Sequence, residues 1–301
     1  MANETPTRAA AGRATLMVVL SAAGFAGIAI FVTFATGAGA PLLAVLSWRY
    51  IIAAVVLGSV AWIAGVRRMD RAGFKVMLVG GFGQSLIAVV TLIALRYIPA
   101  ATLSFLFYTY PGWVAIIARF RHSEPLTPLR LFALALSLTG IFVMVGAPGA
   151  AALHPVGVVL ALTGAVLYAI YVPMIGELQR SLPSVATAAY MSAGAAIILV
   201  VVAVARGELA MRMHSTAWVS ILGLSLISTV GAFLAFLRGL RVLGPVRTAI
   251  VSTVEPFFTA LLGAWLLSQP LTRTTLIGGA LIAAAVLLLQ MPAAANGSGR
   301  S

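Results

Sequence analysis

A carboxylate next to a helix breaker stands inside one of the most apolar stretches of the chain. Glu255 and Pro256 fall within Ser252-Thr-Val-Glu-Pro-Phe-Phe-Thr-Ala-Leu-Leu-Gly-Ala-Trp265. A carboxylate in hydrocarbon costs about 2.5 kcal/mol or more on insertion scales. A proline frees a backbone carbonyl one turn earlier. Two costly features side by side predict a helix that faces a cavity or a partner helix rather than lipid. Three roles are open to Glu255: bracing the kink at Pro256, binding a substrate ammonium, or carrying a proton. The other full charge clearly inside an apolar run is Arg49. It either snorkels to an interface or pairs with helix carbonyls, or it binds a carboxylate.

Uncharged groups with similar placement come next. Gly80-Gly-Phe-Gly-Gln-Ser85 sets Gln84 and Ser85 deep in an apolar run, among glycines that let helices or ligands approach. Tyr108, Tyr110 and Trp113 gather around Pro111, and Tyr168 and Tyr171 share a helix face by their i,i+3 spacing. Aromatic residues in the middle of a run do not fit an interfacial belt. An apolar wall with a few placed polar groups suits a small amphipathic ligand. Ser252 and Thr253 lie near Glu255, although such hydroxyls readily bond their own helix carbonyls. The candidate binding set is therefore Gln84, Tyr108, Tyr110, Tyr168, Tyr171, Ser252 and Glu255. Arg49, Pro111 and Pro256 are the structural or gating candidates.

The elements that carry these residues follow from composition. The chain has 301 residues, 62% of them hydrophobic and only 8% charged, with a mean hydropathy of +1.10. This is the composition of an all-α, polytopic membrane protein. A formal charge of +13 would suggest nucleic acid in a soluble chain. Here the basic residues lie between apolar runs, which is the pattern of membrane orientation, so no nucleic-acid partner is expected. There are no cysteines, and His122, His154 and His214 lack metal-ligand spacing, so neither a metal nor a cofactor is expected. No P-loop, H-E-x-x-H or serine elbow appears, and the chain does not read as an enzyme.

Residues 1–13 and 291–301 read as disordered ends. Between them, apolar runs bounded by breakers predict ten spans, at about 14–36, 41–65, 73–95, 99–120, 128–147, 154–175, 184–206, 215–237, 244–268 and 272–290. The first has a basic start and the small-residue tail Gly37-Ala-Gly-Ala40, which imitate a signal peptide, but its apolar run is too long for one. With the N-terminus in the cytoplasm, only Arg96, Arg206, Arg212 and Arg273 fall outside, and Arg49 lies within a span; the rest of the 19 basic residues lie inside. That bias predicts both termini cytoplasmic.

One constant offset carries Arg241 onto Arg96, Pro256 onto Pro111, and Pro270-Leu271-Thr272 onto Pro125-Leu126-Thr127. Five spans separate each pair, and an odd number reverses orientation. The chain thus reads as two inverted five-span repeats, 14–147 and 154–290. This is an architecture of transporters, with the binding site near the midplane between the halves. The match is clear for the last three spans of each half and weak for the first two. Glu255 falls on Tyr110, so the halves share a frame and differ in chemistry.

Glu255-Pro-Phe-Phe-Thr-Ala-Leu-Leu-Gly-Ala-Trp-Leu-Leu followed by Gln269-Pro-Leu-Thr resembles the signature of the drug/metabolite transporter superfamily, EamA-type branch. Gly239-Leu-Arg-Val-Leu-Gly-Pro245, Leu95-Arg-Tyr-Ile-Pro-Ala-Ala101 and Ser47-Trp-Arg-Tyr50 are similar to other family segments, the last implying a common structural role for Arg49. Tyr108-Thr-Tyr-Pro111 resembles the aromatic-x-aromatic-Pro run of YddG-type aromatic amino-acid exporters. The resemblance implies export of small metabolites, often amino acids, by alternating access and without ATP. Tyr110 stands where many members repeat Glu, a departure that weighs against a symmetric proton mechanism.

The expectation is thus an exporter of amino acids or similar metabolites in a bacterial inner membrane, embedded in lipid, with a monomer as the working state. In it Tyr108, Tyr110, Tyr168 and Tyr171 form an apolar wall, and Gln84 orients the polar end. The rival readings are an extruder of drugs or lipophilic cations and, in a different class, a channel or structural membrane subunit.

Overall fold

The computed structural model describes residues 7–66, 69–94, 96–98, 100–120, 126–145, 154–268 and 270–289. Arg67, Arg68, Leu95, Pro99, Arg121, His122, Pro125, Gln269, most of the joint at 148–155, residues 1–6 of the expected disordered N-terminal end 1–13 and the whole expected C-terminal end 291–301 lie outside the described residues. The described residues are helical throughout, joined by short turns. The first half holds α1 (Arg8–Gly37), α2 (Leu42–Ile63), α3 (Arg71–Ala94), the short pair α4 (Ala100–Phe107) and α5 (Tyr110–Phe120), and α6 (Pro128–Val145). The second holds α7 (Pro155–Leu178), α8 (Ser184–Ala205), α9 (Ser215–Ser225) and α10 (Ala232–Leu243), the pair α11 (Pro245–Ser252) and α12 (Glu255–Leu267), and α13 (Arg273–Leu288). A π-helical turn, Leu226–Gly231, joins α9 to α10 without a break.

Seven of these helices, counting α9–α10 and α11–α12 as continuous, are long and apolar enough to cross a membrane; α6 and α13 are apolar but shorter. The chain is a multi-pass membrane protein. The first helix starts at Arg8, not at Ala14, because Thr7 caps it by accepting from the Ala10 amide at 3.3 Å. The alanine-rich segment after the cap favours helix, so Arg8–Arg13 are helical rather than disordered.

The repeated Pro-Leu-Thr triplet has one physical task in both halves. Thr272 accepts from the Thr275 amide (3.1 Å) and caps α13. Its counterpart Thr127 accepts from the Arg130 amide (3.3 Å) at the start of α6. Each satisfies an orphan donor that the first turn of a helix leaves free. The two prolines behave alike as well. Pro111 is the second residue of α5 and Pro256 the second of α12, positions where a missing N–H costs nothing. Each sits just after a break that ends the preceding short helix.

The packing repeats across the halves. α2 lies on its counterpart α8, and α6 on its counterpart α13. The remaining major contacts come in exchange-related pairs: α3 with α7 as α1 with α10, α5 with α7 as α1 with α12, and α3 with α8 as α2 with α9. One core gathers Tyr50, Leu57, Tyr171, Leu199, Leu237 and their neighbours; another joins Val18, Tyr110, Val114, Ile250 and Val286.

The α3–α8 crossing depends on bare backbone. A Cβ added at Gly194 would collide with the Met77 carbonyl oxygen and lie 3.0 Å from the Gly81 Cα. Neither neighbour is a side chain that can swing away. Gly194→Val is therefore expected to destabilise the fold by about 1–3 kcal/mol, the usual cost of overpacking. A thermal melt of the purified protein in detergent checks this. Gly58→Ala is the control, since a Cβ there meets nothing within 4 Å.

Candidate functional site

Four elements converge on one place between the halves. The break between α4 and α5 carries Tyr108 and, at the first position of α5, Tyr110. The middle of α7 carries Tyr168 and Tyr171. The break between α11 and α12 carries Ser252 on one side and Glu255 on the other, Glu255 being the first residue of α12. The fourth element, α2, carries Arg49 and Tyr50. The breaks do the positioning. Each ends a short helix and restarts it at a proline, so polar side chains lie at helix ends rather than along a lipid-facing stripe.

The tyrosines form a continuous aromatic string. Tyr110 meets Tyr168 edge-on at 4.7 Å between ring centroids, and Tyr168 stacks on Tyr171 at 6.2 Å. Tyr108 and Tyr110 lie 6.2 Å apart, and Phe107 joins both and Tyr168. Edge-on and offset pairs of this kind are the favoured aromatic geometries. Two of the phenols are committed to backbone. Tyr171 donates to the Gly80 carbonyl at 3.2 Å, and Tyr110 reaches the Ala249 carbonyl at 3.5 Å with Ser252 also in range. Both rings are buried.

Tyr108 is placed differently. It neighbours the half-buried Glu255 carboxylate, close enough for the two groups to act on each other. It also lines a cavity of about 330 Å³, together with Phe105, Thr109, Leu138, Ile141 and Phe142. Arg49 is the cation close enough to act on Glu255. It is 5% exposed and does not snorkel. Its Nε donates to Thr229 Oγ1 at 2.7 Å, one of its terminal amines to the Ser228 carbonyl at 3.4 Å, and its guanidinium lies 4.9 Å from the Tyr50 ring centroid. Arg49 thus pairs with a helix carbonyl, that of Ser228, among its partners.

The π turn explains how Thr229 and Ser228 become available. A π turn inserts one residue into the α-helical ladder and upsets its carbonyl pairing. The Thr229 hydroxyl donates to the Leu224 carbonyl at 3.0 Å, across five residues, and also receives Arg49. No hydropathy pattern marks this turn, and reading the sequence alone missed Thr229, Ser228, Tyr50 and Phe107 as site neighbours. Tyr50 was adjacent to a named candidate, and that adjacency was the one available signal.

Some expectations fall elsewhere. Gln84 on α3 is half-buried, and its amide has no hydrogen bond to any described residue; no described contact joins it to Glu255. Tyr171 lines a separate apolar groove of about 510 Å³ between α3 and α7, with Phe82, Gly83 and Met174 among its walls. Trp113 is partly exposed at the periphery. Thr253 bonds the Ile250 carbonyl of its own helix at 2.6 Å, as such hydroxyls commonly do. No group of three or more His, Cys, Asp or Glu that could hold a metal occurs among the described residues.

Comparison with known proteins gives one consistent result. The model of the EamA-like transporter family matches residues 12–146 and again residues 155–291. An uncharacterized transporter YcbK of Bacillus subtilis (strain 168) is 25% identical over 283 residues, covering 90% of this chain and 89% of that one. An uncharacterized transporter of Archaeoglobus fulgidus is 35% identical over 72 residues, which are 24% of this chain and 27% of that protein. A crystal structure superposes with a TM-score of 0.74 at 19% identity, covering 92% of this chain and 96% of the other. That last likeness is one of fold alone.

Proposed function

The chain belongs to the EamA-like transporter family, and from that premise we propose that it moves a small zwitterion, an amino acid or a similar metabolite, by alternating access. The observation that carries this reading is the meeting of opposite charges in one half-buried place. Glu255 has both Tyr108 and the cation Arg49 near enough to act on it, and an aromatic-walled cavity adjoins Tyr108. A zwitterion has an ammonium for the first group, a carboxylate for the second and an apolar part for the cavity. Gln84, whose amide has no described partner, serves the polar end of the substrate in the state that brings α3 inward.

In this reading ten spans cross a bacterial inner membrane as two inverted halves, with both termini cytoplasmic and a single chain sufficient. The packing pairs of α2 with α8 and α6 with α13 support a pseudo-two-fold axis through the contacts. Rocking of the halves about that axis exposes Glu255 first to one side and then to the other. The resemblance gives export as the direction.

The test is counterflow in liposomes containing only the purified protein. Vesicles loaded with unlabelled phenylalanine are expected to accumulate labelled phenylalanine transiently and saturably, and other neutral amino acids are expected to compete. Flux that never saturates would favour a channel. A folded protein that ignores amino acids and carries a lipophilic cation would favour the extruder, with Glu255 as its countercharge.

A further inference from the structure

At the arginine-rich end of the bundle where α1 begins, a cavity of about 460 Å³ lies between α1, α8 and α10. Two of its walls are cationic: Arg238 and Arg241 are one turn apart on α10 and both line it. Ser184, the first residue of α8, also lines it. That side chain is only 9% exposed, and its hydroxyl bonds no described residue. Ahead of it stands Pro183, which supplies no side-chain cap, so the first amides of this 22-residue helix keep their free donors. Arg13 lies one turn before Met17 on α1, on the face that borders the cavity. No acidic residue lines it among the described residues. The remaining surfaces, Met17, Val185 and Val242, are apolar.

The arginines differ in what they already do. Arg241 donates to the carbonyls of Gln179 (2.6 Å) and Leu182, and so ties down the turn between α7 and α8. Arg238 is exposed and has no hydrogen bond or ion pair with any described residue. A free guanidinium, a tethered one, the unpaired hydroxyl of a largely buried serine and bare helix amides thus surround one hollow. All are donors, and none is an acceptor anion.

We propose that this cavity binds the phosphate of an anionic phospholipid, with Arg238, Arg241, Ser184 and the start of α8 around the headgroup and Met17, Val185 and Val242 against the first carbons of the chains. Guanidinium and helix-start amides are suited to phosphate. Basic pockets between membrane helices recognise such headgroups by this chemistry. The apolar walls favour a lipid over free phosphate. The cavity shares no lining residue with the Glu255 site and does not depend on which substrate is carried.

The full chain is reconstituted in phosphatidylcholine vesicles containing a trace of spin-labelled lipid. The motionally restricted fraction is compared for labelled phosphatidylglycerol and labelled phosphatidylcholine. The wild type is expected to restrict phosphatidylglycerol preferentially. Arg238→Gln should weaken that preference about fivefold, the effect of one basic residue near a lipid surface, and Ser184→Ala should weaken it further. Because Arg238 has no described partner, its variant should melt at the wild-type temperature. Equal restriction of the two labels, or a preference unchanged in Arg238→Gln, would overturn the proposal. Calorimetric binding of inorganic phosphate that is lost in Arg238→Gln, with the two lipid labels behaving alike, would reassign the site to soluble phosphate and also overturn it.

Discussion

Glu255→Gln is expected to lower amino-acid counterflow about ten- to a hundredfold while leaving the protein folded. The amide keeps the shape of the side chain and can still meet the Tyr108 hydroxyl, so the break between α11 and α12 loses little support. What disappears is the negative charge. A hydrogen bond to a charged partner contributes about 1.5–3 kcal/mol, and each 1.4 kcal/mol is about a factor of ten. Glu255 is also the first residue of α12, where a negative charge is favoured by the helix dipole. Arg49 keeps its bonds to Thr229 and Ser228, so its burial remains compensated. Unchanged counterflow in Glu255→Gln, with a normal melt, would reduce Glu255 to a brace for Pro256. Running the flux with and without a pH gradient separates the other two roles. Accumulation driven by the gradient in wild type and abolished in the variant would make Glu255 the proton carrier. Saturable flux that ignores the gradient would leave it the ammonium site.

The parts of this picture that could be read from the chain alone share one property: they are local. The helical, apolar character of the chain follows from its apolar runs, and the two proline breaks follow from Pro111 and Pro256. The correspondence of Thr127 with Thr272 follows from a repeated triplet. Tyr168 and Tyr171 share a face because helical spacing requires it. What escaped the sequence is tertiary. Nothing near Arg49 tells that its partner is Thr229, 180 positions away, and the π turn that presents Thr229 replaces α-helix in a stretch whose composition suits either. Pro173 lies inside α7 and gave no expectation of its own. Gln84 was singled out because an amide is rare inside an apolar run. The inward face of α3 is instead set by its glycines: Gly80 lies against Met191 and Gly83 against the Tyr171 ring. Of the expected tyrosine wall, Tyr108 faces both Glu255 and the adjoining cavity, whereas Tyr110 and Tyr171 are committed to backbone carbonyls. Helix packing decided that division, and periodicity alone carries no record of it.

Removal of Arg49 should damage the protein more than removal of any other single side chain near the site. Arg49→Ala strips a buried guanidinium from three partners at once: the Thr229 hydroxyl, the Ser228 carbonyl and the Tyr50 ring. It also leaves Glu255 without its nearby cation. Deleting one member of a buried charged network costs about 3–5 kcal/mol, because the groups left behind are neither solvated nor paired. For a membrane protein whose folded state is held by margins of that order, the expected result is a large drop in melting temperature and in folded yield. Arg49→Lys should recover part of this. Lysine keeps the charge facing Glu255, but its single ammonium cannot reproduce the planar fork that spans Thr229 Oγ1 and the Ser228 carbonyl. Thr229→Val isolates the remaining part, since it removes the acceptor of the 2.7 Å bond and leaves the charges in place. The double variant Arg49→Ala with Glu255→Gln tells a structural pair from two independent roles. If the two charges compensate each other, removing both should cost clearly less stability than the sum of the single changes, as expected for coupled neighbours. Strict additivity in the melts would mean that Arg49 serves the π turn alone and that Glu255 is left free for the substrate.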